Sequence, residues 1–453
     1  MKSKNSLDTD NVKGLVLKLA LPSMLAQFVS VFYSIVDRMY IGNIDQIGET
    51  ALAGVGVCGP IVTLISAFAS LVGVGGAPLM SIRLGEKNEK AAAQVVANCF
   101  LLLAILSAAA TVVSLLLKDK LLMWFGASEA TFPYAIDYIT IYLMGTIFAL
   151  MTTGMNQFII CQGFAKTGMI SVMVGAVCNI ILDPVFIFLF DMGVKGAAVA
   201  TVLSQIVSCA FVLGFLFSSK PLVRITFKGY DWAVMKRVLL IGFSPFLIIA
   251  FDNVLIIALN MVIQKYGGPE RGDMLLTCMT IVQSLMLMVT MPLGGITGGT
   301  QTILGYNYGA RRPDRVKKAE RSILTLGLIF TTVMFVLTHT IPHVFVRIFT
   351  QNEEYVELTV WAIKIYTMAI IPLAAQYTVV DGFTGMGIAK IAISLSMFRK
   401  IIFLAGAFLI PILWDVTNIF YIEPISDGIS AVVSVTVYFL MIDKVLNRKG
   451  ERG

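Results

Sequence analysis

Residues 51–82, ALAGVGVCGPIVTLISAFASLVGVGGAPLMSI, contain no charged side chain. A helix of that length is long enough to cross the roughly 30 Å hydrocarbon core of a bilayer. The rest of the chain has a similar composition, because 57% of its 453 residues are hydrophobic and 13% are charged. Soluble domains are about 45–50% apolar and about 25% charged. The sequence therefore excludes a soluble, fibrous or disordered protein and indicates a membrane protein.

Twelve long, predominantly apolar runs predict twelve transmembrane helices. The runs are too long for barrel strands, and only helices satisfy their own backbone hydrogen bonds over such lengths in lipid. We therefore expect an all-α polytopic membrane protein. The predicted spans are 14–41, 51–82, 91–117, 132–159, 168–190, 194–218, 237–264, 274–305, 322–346, 356–381, 388–413 and 428–446.

The basic residues predict the orientation of these spans. Twenty-four of the 34 Lys and Arg residues lie in the termini and in the loops on one side. The positive-inside rule places that side, with both termini, in the cytoplasm. This topology explains the net charge of +7, so the basic loop 311–321 is not taken as a nucleic-acid site. We expect a monomer in the plasma (inner) membrane whose first span is retained, because residues 1–10 lack a cleavable signal pattern.

The chain divides into two similar halves of six spans. We predict an N-lobe over 1–218, a cytoplasmic linker over 219–236 and a C-lobe over 237–453. Six is an even number, so both halves share one orientation and are expected to be related by a pseudo-twofold axis along the membrane normal. Parallel repeats of this kind are typical of transporters that rock two bundles around a central site.

An internal repeat supports this division. A fixed offset of 224 aligns Gly85 with Gly309 and Gly163 with Gly387, and Ala165 and Lys166 recur at the same offset. An offset of 223 aligns Pro22 with Pro245. Widely separated matches on one offset favour a true duplication. The alternative is a duplicated scaffold that transports nothing.

Four polar residues in the N-lobe form a candidate ion site. Asp37 lies in the outer half of the first span, and Asn179 and Asp183 are i,i+4 neighbours on the fifth. Thr201 lies about two turns into the sixth span from its outer end, so all four reach a similar depth. Placing a carboxylate at the centre of a membrane helix costs on the order of 3 kcal/mol, so each acid there calls for a structural or functional explanation. The oxygens of these four residues suit Na⁺ binding, and the two carboxyl groups also suit the sharing of one proton.

Each residue also has a structural alternative. The alternative for Asp37 is a local ion pair with the adjacent Arg38. The alternative for Asp183, which directly precedes Pro184, is to stabilise a kinked helix. Asn179 and Thr201 taken singly are typical of packing between membrane helices. The cluster is more specific than any of its members.

The C-lobe has no equivalent cluster. The repeat places Asn260 opposite Asp37 and Ala407 opposite Asp183. Asp252 in the seventh span is an isolated acid, a weaker candidate for a secondary site. Asp381 lies close to the inner end of its span, where a solvated or capping acid is common. The chemistry is therefore expected to be weighted toward the N-terminal half.

Prolines and cysteines complete the sequence predictions. Pro22 and Pro184, with Pro245, remove backbone hydrogen bonds inside helices and allow them to bend. The six cysteines lie in apolar runs without metal-ligand spacing and are expected to be small core residues. Two histidines in the whole chain leave little material for catalysis or metal binding, and no cofactor is expected.

Several stretches resemble the multidrug and toxic compound extrusion (MATE) family. The likeness covers nearly the whole chain. The stretches are LALPSMLAQFVSVFYSIVDRMYIGNI (19–44), ALAGVGVCGP (51–60), NIILDPVFIF (179–188), GVKGAAVATVLSQ (193–205) and YIEPISDGISAVV (421–433).

The resemblance implies a two-lobed, twelve-helix antiporter that exports organic, often cationic drugs and toxic compounds against H⁺ or Na⁺. The family's N-lobe cation site falls by motif on Asp37, Asn179, Asp183 and Thr201. Some members carry further acids in the seventh and tenth spans. Asp252 matches the first of these, whereas the tenth span has Gln376, so Asn260, Asp252 and Gln376 are retained as secondary or substrate-cavity candidates.

Two other functions stay open. A flippase of lipid-linked precursors would favour a more basic cavity and more than twelve spans. An integral-membrane enzyme is disfavoured, because no loop gathers a His/Asp/Ser set. We therefore expect a transporter of small organic substrates and no enzyme.

Overall fold

The computed structural model describes residues 7, 11–44, 47–125 and 127–448. Within them, ten helices are long and apolar enough to cross a membrane, and two bent helix pairs bring the spans to twelve. We number them spans 1 to 12. They are Val12–Gly42, Thr50–Gly85, Glu89–Trp124, Phe132–Met144 with Thr146–Ile160, Ala165–Leu189, Gly193–Phe217, Trp232–Gly268, Met274–Gly309, Pro313–Thr340, Glu353–Tyr366 with Ile370–Gly385, Ala389–Leu413 and Val416–Asn447.

The all-α fold with twelve spans is confirmed, and several ends differ from the prediction. Span 9 begins at Pro313, ahead of the predicted 322–346, because Pro313 and Asp314 suit a first helical turn. The helix of span 7 begins at Trp232, so the last residues of the predicted linker 219–236 are helical. Lys2, Lys4, Lys449 and Arg452, used for the orientation, lie outside the described residues.

Spans 4 and 10 are both broken in the middle. The two helices of span 4 meet at 57° and those of span 10 at 48°. The hydropathy pattern is continuous through both breaks, so the sequence predicted one uninterrupted span at 132–159 and one at 356–381. The breaks occupy the same place in each half of the chain.

The backbone confirms the internal repeat. Lys87 and Arg311 have φ of 59° and 56°, in the left-handed region, and Gly163 and Gly387 have φ of 91° and 75°. Both pairs are related by the offset of 224. The following turns also repeat, since the Asn88 amide donates to the Arg83 carbonyl and its counterpart in the second half makes the same 2.9 Å bond. The two halves therefore share turn geometry as well as sequence.

The chain forms two compact units. One comprises Leu21–Ile249, and the other comprises the residues up to Ala20 and those from Ala250 onward. We call them the N-unit and the C-unit. Their boundaries fall inside spans 1 and 7, close to Pro22 and Pro245. The lobes 1–218 and 237–453 stay a prediction.

Each unit has its own apolar core. In the N-unit the core includes Tyr138, Tyr142, Ile187 and Ala197, which come from spans 4, 5 and 6. Spans 5 and 6 pack directly against each other. This packing fixes the walls of the polar site described next.

Candidate ion-binding site

A pair of acids lies inside the N-unit. Asp183 is fully buried and Asn179 nearly so. The Asn179 Nδ2 donates a hydrogen bond of 3.0 Å to Asp183 Oδ1, the i,i+4 contact that the sequence indicated. Asp37 of span 1 lies with its carboxyl group within hydrogen-bonding reach of the Asp183 carboxyl. Two carboxylates this close cannot both stay ionised without a proton or another cation near them.

Three oxygens of this group are buried without a hydrogen-bond partner in the part of the chain that the structure describes. They are Asp37 Oδ1, Asn179 Oδ1 and Asp183 Oδ2. Unpaired buried acceptors are costly, since each has lost its water without gaining a donor. The residues therefore fit a small cation, either Na⁺ or a proton held between the acids.

Thr201 joins the site less directly than the other three residues. Its hydroxyl donates to the Ala197 carbonyl over 3.0 Å, within its own helix. The Tyr138 hydroxyl lies within hydrogen-bonding distance of Thr201 and close enough to Asp37 to interact with its charge. Thr201 is thus linked to the acid pair through Tyr138. Arg38, the alternative partner of Asp37, is exposed and acts on that acid only through its charge.

Sequence reasoning missed four neighbours of the site. Tyr33 lies close enough to Asp37 and Asp183 to interact with the charge of each acid. Tyr138 and Tyr142 stack on each other with ring centroids 6.1 Å apart, and the Tyr142 hydroxyl faces Gln205. A signal was present for two of them, because Tyr33 precedes Asp37 and Gln205 follows Thr201 by four residues, which places each on the same helix face.

Pro184 marks a change of helix type beside the acids. The α-helix of span 5 ends at Pro184, and Val185–Leu189 continue as a π-helix. Such π segments are frequent at functional sites. The helix-bending role expected of Pro184 stays a prediction, because the structure shows a change of helix type there and no bend angle. The helix Val12–Gly42 passes through Pro22 as one element, so a bend there stays a prediction.

The secondary candidates of the C-unit do not assemble into a matching site. Asn260 is exposed, whereas Gln376 is buried. The view of Asp252 as an isolated acid is wrong, since its Oδ1 accepts a hydrogen bond from Lys400 Nζ. The two residues lie on different spans that are far apart in the chain, so spacing along one helix gave no sign of this pair.

Asp381 is also placed differently from the expectation. It was expected to be a solvated or capping acid. Instead Thr297 Oγ1 donates to its Oδ2 over 2.5 Å and Gln301 Nε2 donates to its Oδ1 over 3.1 Å. Span 8 thus satisfies both carboxylate oxygens of Asp381 inside the C-unit.

A second group that the sequence missed is a buried ion cluster in spans 11 and 12. Arg399 binds Glu423 over 2.7 Å and Asp427 over 2.6 Å. The Tyr366 hydroxyl donates to Glu423 over 3.3 Å. Two signals were present, namely adjacent basic residues in the middle of an apolar run and two acids four residues apart on the next span.

The described residues contain no group of three or more His, Cys, Asp or Glu side chains placed to hold a metal ion. All six cysteines are free, and five of them are buried, as expected for small core residues. The N-unit site thus offers two acids with an amide and a hydroxyl nearby. That set suits reversible binding of a monovalent cation better than a permanent metal centre.

Twelve helices in a duplicated arrangement, with buried ionisable groups inside the helical units, define a multi-pass membrane transporter. The MatE family model matches residues 22–185 and then matches again over residues 249–409. The chain therefore belongs to the MatE family of efflux transporters, and the double match also confirms the repeat.

Curated relatives agree with this assignment. The chain is 22% identical over 436 residues to the multidrug export protein MepA of Staphylococcus aureus (strain MSSA476), which covers 95% of this chain and 94% of MepA. It is 23% identical over 439 residues to MepA of Staphylococcus haemolyticus (strain JCSC1435), with the same coverage.

Solved structures show the same fold. A multidrug resistance MATE family transporter of the MOP superfamily, in an outward-facing conformation, matches with a TM-score of 0.91 and 21% identity over 98% of this chain and 99% of that one. A MOP superfamily transporter from Pyrococcus furiosus, for which a reverse polarity of the binding pocket suggests a different function, matches with a TM-score of 0.91 and 22% identity at the same coverage.

Proposed function

We propose that this protein exports organic, mainly cationic drugs and toxic compounds across the plasma membrane in exchange for H⁺ or Na⁺. The observation that carries the proposal is the Asp37–Asp183 pair, with its buried oxygens that lack a hydrogen-bond partner among the described residues. Transport proceeds by alternating access of a monomer with both termini in the cytoplasm. The two lobes 1–218 and 237–453 move about the substrate, and the linker 219–236 joins them.

The acid pair couples the cation to the substrate. Without a cation the two carboxylates repel each other, which favours a conformation that separates span 1 from span 5. Cation binding removes that repulsion and draws the spans together. Because the cation has different affinities for the two conformations, it shifts the balance between them and thereby changes the affinity for the drug. Pro22 and Pro184 supply bending points on these spans.

The geometry favours H⁺ as the coupling ion. The Asn179 amide already donates to Asp183 Oδ1, and the Thr201 hydroxyl donates within its own helix. Three buried acceptor oxygens of the site still lack a hydrogen-bond partner among the described residues. A single proton shared by the two carboxyls needs only two of them.

Dye efflux tests the proposal. Cells that express the protein are loaded with ethidium, and the H⁺ and Na⁺ gradients are collapsed separately. We expect efflux to stop when the H⁺ gradient is lost and to persist without Na⁺. Reconstituted protein should move protons out of the dye-free compartment, in the direction opposite to the dye, only when dye is supplied.

The other outcomes are equally informative. Efflux that needs Na⁺ at every pH and ignores a proton gradient reverses the choice of ion and keeps the residues. Efflux that survives the loss of both gradients overturns ion coupling. Movement of lipid-linked precursors without any dye efflux favours the flippase instead.

A further inference from the structure

A cavity of ≈ 650 Å³ lies within the C-unit, between spans 9, 10 and 12. It is separate from Asp252, Asp381 and the Arg399 cluster, none of which lines it. Its walls come from three helices and comprise Lys317, Glu320, Arg321, Leu324, Ala375, Thr378, Val379, Val435, Tyr438, Phe439, Ile442 and Asp443.

The cavity has a polar end and an apolar end. Lys317 Nζ binds Asp443 Oδ1 over 2.5 Å, which places the start of span 9 beside the end of span 12. The two helices are therefore antiparallel along the cavity. Glu320 and Arg321 lie near this polar end, whereas Leu324 and Val435 are one or two turns farther into the spans. Such a gradient matches an amphipathic molecule with its head at the helix ends and its tail toward the middle of the bilayer.

Glu320 is the unusual residue of the polar end. It is only 4% exposed, and its Oε2 is buried with no hydrogen-bond partner among the described residues. The Tyr438 hydroxyl lies within its reach. A Cβ at position 382 would stand 2.6 Å from Glu320 Oε1, so Gly382 makes room for this side chain. A buried carboxylate oxygen needs a hydrogen-bond donor to offset its lost hydration.

The charges at the polar end identify that donor. Lys317 pairs with Asp443, and its charge also acts on Glu320; besides this pair, the polar end carries one buried acid, Glu320, and one exposed base, Arg321. A headgroup that carries both an ammonium and a phosphate matches this arrangement. A primary ammonium has N–H groups to donate to Glu320, whereas a quaternary ammonium has none. Arg321 suits the phosphate, as basic residues at helix ends do in membrane proteins.

We propose that this cavity binds one phospholipid with an ethanolamine-type headgroup, its ammonium on Glu320, its phosphate on Arg321 and one acyl chain along Leu324, Val379 and Val435. The site is distinct from the ion-binding pair in the N-unit. The lipid fills a gap between three helices of one unit and holds them together from the membrane side.

Native mass spectrometry of the purified full-length protein in detergent tests the proposal. Phosphatidylethanolamine, phosphatidylcholine and phosphatidylglycerol with identical acyl chains are titrated separately. We expect one tight site that prefers phosphatidylethanolamine. Glu320→Gln should weaken that lipid roughly tenfold, the effect of losing a hydrogen bond to a charged group, and should leave phosphatidylglycerol unchanged. Arg321→Gln should weaken all three lipids.

Two further variants test the apolar end of the cavity and provide a matched control. Ala375→Phe fills the apolar end and should reduce binding of every lipid, independently of the headgroup. Lys318→Gln removes an exposed base of the same helix that does not line the cavity, and it should change nothing. Asp37→Asn should retain lipid binding, so failure of the proposed ion coupling is distinguishable from failure of this site.

Several results overturn the proposal. Equal binding of the three lipids by the unmodified protein removes the headgroup assignment, and so does an unchanged affinity in Glu320→Gln. Tetraphenylphosphonium binding that is lost in Glu320→Gln, with phosphatidylethanolamine unaffected, makes the cavity a site for lipophilic cations instead.

Discussion

The N-unit and the C-unit each bury a cluster of acids, and the clusters differ in what balances their charge. In the C-unit, Arg399 holds the two buried acids and Lys400 holds the half-exposed Asp252, so the protein supplies its own cations. In the N-unit, Asp37 and Asp183 face each other and form no ion pair among the described residues. One cluster is complete by itself, and the other needs a cation from outside.

The repeat shows where this difference arose. At the offset of 224, Asp183 corresponds to Ala407, and Arg399 and Lys400 correspond to Gly175 and Ala176. The backbone turns are shared, whereas the charged side chains are not. The asymmetry between the units is therefore chemical and leaves the helical framework intact. An exchangeable cation is expected only where no fixed cation takes its place.

The largest effect is expected from the N-unit acids. Asp37→Asn or Asp183→Asn removes the second carboxylate, so the pair no longer distinguishes the cation-bound state from the empty one. Dye efflux from cells should fall by more than about tenfold at equal protein level, the scale of a typical coupling free energy. The pH dependence of transport should disappear in Asp37→Asn. Asp137→Asn changes a half-exposed acid of the same unit, which pairs with Lys195 over 3.5 Å outside the ion-binding site, and serves as the control.

The opposite result would contradict the difference drawn between the acids of the N-unit and those of the C-unit. Efflux at the unmodified rate by either variant, with normal expression, would remove the N-unit acids from the mechanism. Stability provides a second readout. Neither substitution should lower the thermal stability of the purified protein, because each removes a buried carboxylate that has no ion-pair partner among the described residues.

Arg399→Met should show the opposite behaviour. It strands Glu423 and Asp427 without their cation, and breaking a buried ion pair from one side costs about 3–5 kcal/mol. The melting temperature of the purified protein should fall clearly. The triple variant Arg399→Met, Glu423→Gln, Asp427→Asn should recover most of the loss, since it leaves no buried charge. A single variant as stable as the unmodified protein would contradict the view that this cluster is structural.

A smaller loss of transport is expected from the remaining C-unit acids. Asp252→Asn and Asp381→Asn should each reduce efflux by a few-fold, less than either N-unit acid. Lys400 already neutralises Asp252, and Thr297 and Gln301 already satisfy Asp381. Side-by-side efflux assays of the four Asp→Asn variants check the ranking. A larger loss at Asp252 would move the coupling site to the C-unit.

The smallest effect is expected from an ion pair outside the membrane spans. Arg271 donates to both oxygens of Asp415, at 2.7 Å and 3.0 Å. Hydrogen bonds from the Thr417 side chain and backbone, with the charge of Arg271, hold the pKa of Asp415 below its ordinary 3.8. Because the folded pKa is lowered, this stabilisation is present at neutral pH and is lost as the pH falls through the folded value.

Asp415→Asn should therefore lower the free energy of unfolding by less than about 1 kcal/mol at neutral pH, as for other exposed pairs. The difference from the unmodified protein should vanish in strong acid. Thermal unfolding at pH 7 and in acid well below the lowered pKa of Asp415 measures both. A neutral-pH loss as large as that of Arg399→Met would erase the distinction between buried and exposed ion pairs in the C-unit.

Much of the fold was predictable because the bilayer acts on every residue of a span. Continuous apolar runs predicted twelve helices, and the offset of 224, which aligns Gly163 with Gly387, predicted the internal repeat. The i,i+4 spacing of Asn179 and Asp183, together with the depth of Asp37, indicated the acid pair. These are local signals, since helix period and hydropathy depend only on neighbouring residues.

The tertiary structure alone decided which distant side chains meet. Lys400 of span 11 reaches Asp252 of span 7, and Tyr138 connects Thr201 to the acids. The breaks in spans 4 and 10 were equally hidden, because hydropathy is unchanged where a helix bends. A contact between spans depends on the tilt and rotation of each helix, which packing of the whole unit sets. The sequence by itself thus determined the spans, the repeat and the candidate acids, and the packed structure decided which acids carry their own cation.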